Sequence, residues 1–173
     1  MTGAVVIIVA AAALLLRPGS GPAHALVIPA RLGSYVKEPH LAKVMEAGNL
    51  QREIVTKSAG EAKNVVYAVY EDATGPAASS GPQIVLLIGG NLSGASPDGF
   101  ITSFIGQARG AQRTSAGPMG GQAACISRIP GSVAECAWAD NDTFGVVASP
   151  TLSVPALAAM LRTARSQAER AVK

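Results

Sequence analysis

Two cysteines, Cys125 and Cys136, constrain this chain more than any other feature, because they stand symmetrically about Pro130-Gly131. Counting outward from that dipeptide, Ile129 faces Ser132, Arg128 faces Val133, and Cys125 faces Cys136. Side chains on a strand alternate sides, so a hairpin in this register places both sulfurs opposite each other on one face. Directly opposed residues sit about 4.5–5.5 Å apart, which a disulfide can span. A second connection falls at Asn141-Asp142, two residues that tolerate tight turns. In that register Trp138 faces Gly145, where a large ring can cover a neighbour that has no side chain. The stretch from Gly121 to Ser149 therefore reads as a three-stranded antiparallel meander. The ten residues between the cysteines are not the two of a redox motif, and only two histidines exist to complete a zinc site. The pair reads as a structural staple.

The chain has 173 residues, enough for one domain with a sizeable core. Charged residues make up 14% and hydrophobic residues 49%, much of the latter Ala and Val, so the core is expected to be built of small side chains. Aromatics at 4% argue against aromatic-rich platforms for sugars or single-stranded nucleic acid. Beyond residue 25 the net charge is +2, too small for nucleic-acid binding as the default.

Ala4 to Leu16 is an unbroken apolar run of 13 residues. A membrane-spanning helix needs roughly 20, whereas a signal-peptide core is this short. Ala23-His24-Ala25 offers a small-x-small cleavage site, but no Lys or Arg precedes the run. Two readings stand: a signal peptide cut after Ala25, or the outer part of a membrane anchor. Both divide the chain into residues 1–25, signal or anchor plus linker, and residues 26–173, an extracytoplasmic domain. Disulfides persist in that compartment, so the cysteine pair agrees with either.

The region after Ala25 alternates strand and helix signals. Leu26 to Arg31 reads as an edge strand limited by Pro29. Pro39 opens a helix with Leu41, Val44 and Met45 on one face and Gly48 as its stop, and Leu50 to Lys57 is a second helical piece or a turn. Asn64 to Tyr70 and Gln83 to Ile88 are strands, the latter apolar on both faces and so central. Gly75 to Pro82 is a loop, and so is Gly89 to Ala95. Ser96 caps a helix with Pro97 in its first turn, and Ile101, Phe104, Ile105 and Ala108 form its buried stripe up to Gly110. Ala111 to Ala116 leads into the meander. Ser153 caps a last helix with the stripe Val154, Leu157, Leu161, Ala164 and Ala168, and its arginines, Arg165 among them, read as a solvated face. The expected fold is α+β: a single mostly antiparallel sheet, ordered β-α-β-β-α-β-β-β-α along the chain, with helices packed on one face.

Few residues have the chemistry of a site. Gly89 to Gly94 lies between a strand and a helix, where phosphate loops sit, but lacks the Lys-Ser/Thr that completes one. Gly90, Asn91 and Ser96 are the candidate ligand contacts there, by way of free N–H groups at the helix start. Trp138 is a core residue over the disulfide, or a stacking surface for a ligand. Asp140 and Asp142 read as turn residues. A Ser-His-Asp set would need His40 and one of these aspartates, and no serine stands in a nucleophile-elbow motif. No catalytic, cofactor or metal constellation is expected.

Glu61-Ala62-Lys63-Asn64-Val65-Val66, Ala68-Val69-Tyr70, Gly89-Gly90, Gly120-Gly121-Gln122-Ala123-Ala124-Cys125, and above all Cys136-Ala137-Trp138-Ala139-Asp140-Asn141-Asp142-Thr143-Phe144-Gly145 resemble small actinomycete proteins of the Streptomyces type. These are described as hypothetical secreted or single-pass membrane proteins. The resemblance covers nearly all of the chain after Ala25 and implies location and fold. It carries over no functional residue.

The expected function is a non-enzymatic extracytoplasmic domain that binds a partner or ligand of the cell envelope, with the membrane engaged through the N-terminal segment if it is retained. A sensory ectodomain and a hydrolase are the alternatives.

Overall fold

A computed structural model describes residues 24–57, 61–72, 82–94, 96–106, 108, 110–127 and 133–172. The apolar run Ala4 to Leu16, the Pro130-Gly131 turn and most of the Gly75 to Pro82 loop lie outside the described residues.

The first elements are strands β1 (His24–Leu26), β2 (Arg31–Leu32) and β3 (Tyr35–Lys37), then helices α1 (Pro39–Val44) and α2 (Ala47–Lys57). Strands β4 (Ala62–Asp72) and β5 (Ile84–Leu92) follow, then α3 (Pro97–Ile105) and β6 (Gln112–Thr114). The meander is β7 (Gln122–Ser127), β8 (Ala134–Ala139) and β9 (Thr143–Ser149), and the chain finishes with α4 (Val154–Ala168) and β10 (Glu169–Ala171). Eight strands form one antiparallel sheet in the order β2-β3-β4-β5-β9-β8-β7-β6, and β1 pairs separately with β10.

The α+β class and a large antiparallel sheet are as the sequence predicts; the separate two-stranded β1–β10 sheet is not. The placement of the helices differs, because they cover both faces. One core holds Tyr70, Leu87, Cys125, Cys136, Trp138 and Val147 under α4 through Leu157, Leu161, Ala164 and Ala168. The other holds Val65, Ile88, Ala137 and Phe144 against Ile101 and Phe104 of α3 and Ile54 of α2. Strands apolar on both faces need cover on both, and a single helical layer would leave one row of branched and aromatic side chains in water.

The meander has the expected register: Cys125 opposes Cys136 and Trp138 opposes Gly145. The cysteines form a disulfide with Cα atoms 4.0 Å apart, consistent with an extracytoplasmic location. Both are buried beneath α4. Replacing Cys136 with Ser should cost about 3 kcal/mol of unfolding free energy, by the loop-entropy estimate for a short closed loop. The urea midpoint of the oxidised parent against the variant measures this. Equal midpoints would mean that the tie contributes nothing.

Both serine caps are present. Ser96 accepts from the Gly99 N–H at 2.9 Å and Ser153 from the Ala156 N–H at 3.4 Å. Several local expectations fail; α3, for one, ends at Ile105 with Gly106 as its C-cap instead of running through Ala108 to Gly110. Gly89 to Leu92 continues strand β5 instead of forming a loop, because neighbouring backbones approach too closely for side chains: a Cβ on Gly89 would meet Gly145 Cα at 2.8 Å, and one on Gly90 would meet Val65 Cα at 3.0 Å. Gly48 does not stop the first helix; α1 ends at Val44, and Gly48 lies in the first turn of α2. Val44 and Met45 of the expected apolar stripe stay 65% and 43% exposed, since α1 is too short to lay a face on the sheet.

The first strand begins at His24, two residues before the expected domain start. Its ladder pairs His24 with Ala171, Ala25 with Arg170 and Leu26 with Glu169. Leu26 is buried in the α4-side core, and the Asn91 amide donates to the His24 carbonyl at 2.8 Å.

Candidate functional site

The most densely bonded polar group is Arg165, in the last turns of α4. The sequence places it among arginines of a solvated face; the structure buries it completely. It sits four residues after Leu161 and one after Ala164, so helical spacing turns it onto the sheet. Its Nε donates to Glu169 Oε2 at 2.9 Å, Nη1 donates to the carbonyls of Ala116 (3.2 Å) and Gly120, and Nη2 pairs with Asp140 Oδ2. Glu169 Oε1 accepts from Trp138 Nε1 at 3.1 Å and from the Thr143 hydroxyl. Asp140 Oδ1 accepts from the N–H groups of Asp142 (2.8 Å) and Thr143 (2.7 Å), which builds the turn expected at Asn141-Asp142.

This network ties α4, β10, the β8–β9 turn and the segment before β7 together. Among the described residues no buried side-chain polar atom lacks a partner. A guanidinium that donates to two carboxylates and two carbonyls, and is itself sealed from water, is not placed to donate to a substrate. Its role is to hold the fold. The recognisable signal was the position of Arg165 within the stripe Leu161, Ala164, Ala168.

The sequence-derived candidates are mostly taken up by such contacts. Trp138 lies wholly buried over the disulfide side of the sheet. Gly90 is buried between strands, and Asn91 bridges three of them: it donates to His24 O and Asp142 O (3.2 Å) and accepts from the Asn64 amide (3.1 Å). Ser96 is exposed, with its hydroxyl on the Gly99 N–H. His40 is exposed at the start of α1, while His24 Nδ1 stands 3.5 Å from Asp142 Oδ2. No hydrogen bond joins either histidine to a serine among the described residues. Nor do those residues include a group of three or more His, Cys, Asp or Glu side chains that could hold a metal. None of their helices is long and apolar enough to cross a membrane.

The described residues line three concavities, the smallest, of about 310 Å³, lying between β6 and α4. The first of the larger two is an apolar groove of about 430 Å³ on the face opposite α4, with a sheet floor and two helical walls. Leu86, Ile88, Phe144 and Val146 form the floor, Leu50 and Ile54 of α2 one wall, and Phe100 and Phe104 of α3 the other. The rings of Phe100 and Phe144 stack at 5.1 Å between centroids with a 45° tilt. The groove exists because α2 and α3 together do not cover the apolar row they face. Four discontinuous elements supply it, so no local motif announces it. The second concavity is a cleft of about 660 Å³ beside β4, lined by Lys37, Lys43, Asn49 and Tyr67 over a floor of Ile28, Ala68 and Val69.

Burial pushes the Tyr70 phenol, which donates to Pro29 O at 2.9 Å, well above its usual range. A raised acid pKa favours the folded state below the unfolded value of 10.0 and withdraws that support as pH climbs past it. Tyr35 shifts the same way through burial first and Asp72 second. Stability should therefore fall above about pH 10, and a chemical-denaturation series across pH 8 to 11 reads it.

Comparison of the chain with protein-family models, with curated proteins and with solved structures finds no match in any of the three.

Proposed function

We propose that this is a non-enzymatic extracytoplasmic domain that binds an apolar or amphiphilic small molecule of the cell envelope in the groove between α2 and α3. The observation that carries the reading is the groove's composition and size: three phenylalanines and a row of branched side chains around about 430 Å³. Binding sites for small ligands are concave, largely apolar and of this order of volume. Leaving such a surface in water costs roughly 25 cal/mol per Å² of apolar area, which an acyl chain or a similar apolar body would recover. The disulfide supports the compartment.

The strand pairing of His24 and Ala25 supports retention of the N-terminal segment as an anchor over removal after Ala25. A chain cut there would lose two of the three β1–β10 pairs and the Asn91 contact to His24. N-terminal sequencing of the mature protein should find no chain beginning at Leu26.

The ligand reading is tested with the lipophilic dye N-phenyl-1-naphthylamine and with palmitate as competitor. Dye fluorescence should rise on binding and fall as palmitate displaces it. Ala148→Phe, which puts a ring into the groove, should abolish the signal while the far-UV spectrum and the disulfide are unchanged. Equal dye binding by parent and variant, or none by the parent, would rule the groove out as the site.

A further inference from the structure

The cleft beside β4 exposes main chain as well as side chains. Strand β3 pairs with β4 only over Tyr70 to Asp72, and on that edge the described residues supply no neighbouring strand for Val66 to Val69. The carbonyl of Val69 points away from β5, because it accepts from the Glu38 N–H at 2.8 Å. In a regular strand the residue two positions earlier points the same way, and the β4–β5 register is regular from Val66 to Glu71. Tyr67 therefore directs its N–H and C=O into the cleft. Neither has a hydrogen-bond partner among the described residues. On one side Val69 O is closed by Glu38, and on the other Val65 O is closed by the Gln51 amide. The unpaired position lies between them.

An unpaired donor and acceptor on a sheet edge is what an added strand completes. The surroundings select its chemistry. Lys37 and Lys43 line the cleft, and neither has an acidic partner or hydrogen-bond acceptor among the described residues. The one carboxylate of the lining, Glu46, already accepts from the Asn49 amide at 2.6 Å. The floor is apolar, and the Tyr67 ring lies against α2 at Gly48, where a Cβ would meet its hydroxyl at 3.2 Å. The rise per residue of a strand makes the run from Val65 to Val69 about 13 Å long, room for four or five residues of extended chain. Walls from α1 and α2 suit one such chain better than the flat edge of a second sheet.

We infer that this edge is a docking site for an extended acidic peptide, which pairs with the main chain of Tyr67 and sets carboxylate side chains against Lys37 and Lys43. The cleft shares no residue with the apolar groove, so the two sites stand or fall separately.

The probe is the blocked peptide acetyl-Thr-Glu-Val-Glu-Thr-amide, titrated into the ¹⁵N-labelled protein. The amide resonances of Tyr67, Lys37 and Lys43 should shift together, and exchange of the Tyr67 N–H with solvent should slow by about tenfold at saturation. The double variant Lys37→Gln, Lys43→Gln should weaken binding roughly five-fold, the worth of two partly exposed ion pairs. The same peptide N-methylated at alternate residues should not bind. No shift at millimolar peptide would overturn the inference. So would equal binding of the N-methylated peptide, of the lysine analogue acetyl-Thr-Lys-Val-Lys-Thr-amide, or of free glutamate, since each would mean that strand pairing or charge plays no part.

Discussion

Replacing Gly145 with alanine should destabilise the domain by about 3 kcal/mol or more, a large fraction of the stability of a typical domain. A Cβ at this position would fall inside the contact radius of three atoms of the Trp138 ring, Cη2, Cζ2 and Cζ3. The ring has nowhere to go. It is fully buried, it packs under α4, and its Nε1 is held by Glu169. The strand cannot yield either, because Gly145 pairs with Trp138 on one side and Gly89 on the other, and Gly89 is itself in close contact with it. Urea unfolding followed by far-UV circular dichroism, a signal that survives the loss of the chain's single tryptophan, measures the loss. The mechanism is checked by a cycle with Trp138→Leu. In that background Gly145→Ala should cost less than about 1 kcal/mol, because the methyl now enters the space the ring has left. A full cost in both backgrounds would mean that the glycine serves the backbone and not the ring.

Arg165→Met should cost roughly 3–5 kcal/mol, the usual penalty for removing one partner of a buried ion pair. Methionine fills much of the volume, so the loss is electrostatic: Glu169 and Asp140 keep their charges without the guanidinium between them. Glu169 is almost as buried as the arginine, whereas Asp140 retains the N–H donors of Asp142 and Thr143 and some solvent. Most of the penalty therefore belongs to Glu169. Adding Glu169→Gln removes that charge while keeping an oxygen for the Trp138 and Thr143 donors, and the double variant should recover more than half of the loss. Calorimetry of the four proteins gives the coupling. Additive effects would show that Arg165 acts through packing alone.

What could be read from residues alone follows a physical division. The meander was legible because a strand's register is fixed by its turn, and two turns with a covalent tie leave one solution. The caps at Ser96 and Ser153 were legible because capping acts over three residues. Long-range choices were not. Gly89 and Gly90 look like a loop until Phe144 and Lys63 bring their backbones against them. Arg165 looks like a surface residue until the Ala116 and Gly120 carbonyls and Asp140 arrive from the segment before β7 and the β8–β9 turn. The pairing of β1 with β10 joins opposite ends of the sequence, beyond any local pattern. The apolar groove belongs to this second kind. Phe104 and Ile54 were visible as helix residues, but only the packing of α2 and α3 on one face leaves a space between them.

An oxidised cysteine pair, buried in the sheet beneath α4, locks the meander. Differential alkylation of the protein taken from its host, followed by mass spectrometry, tests this directly. Blocking before reduction should leave Cys125 and Cys136 unlabelled and joined in one peptide, and labelling should need both denaturant and reductant. Two thiols that alkylate as the cell is opened, with no linked peptide, would contradict it.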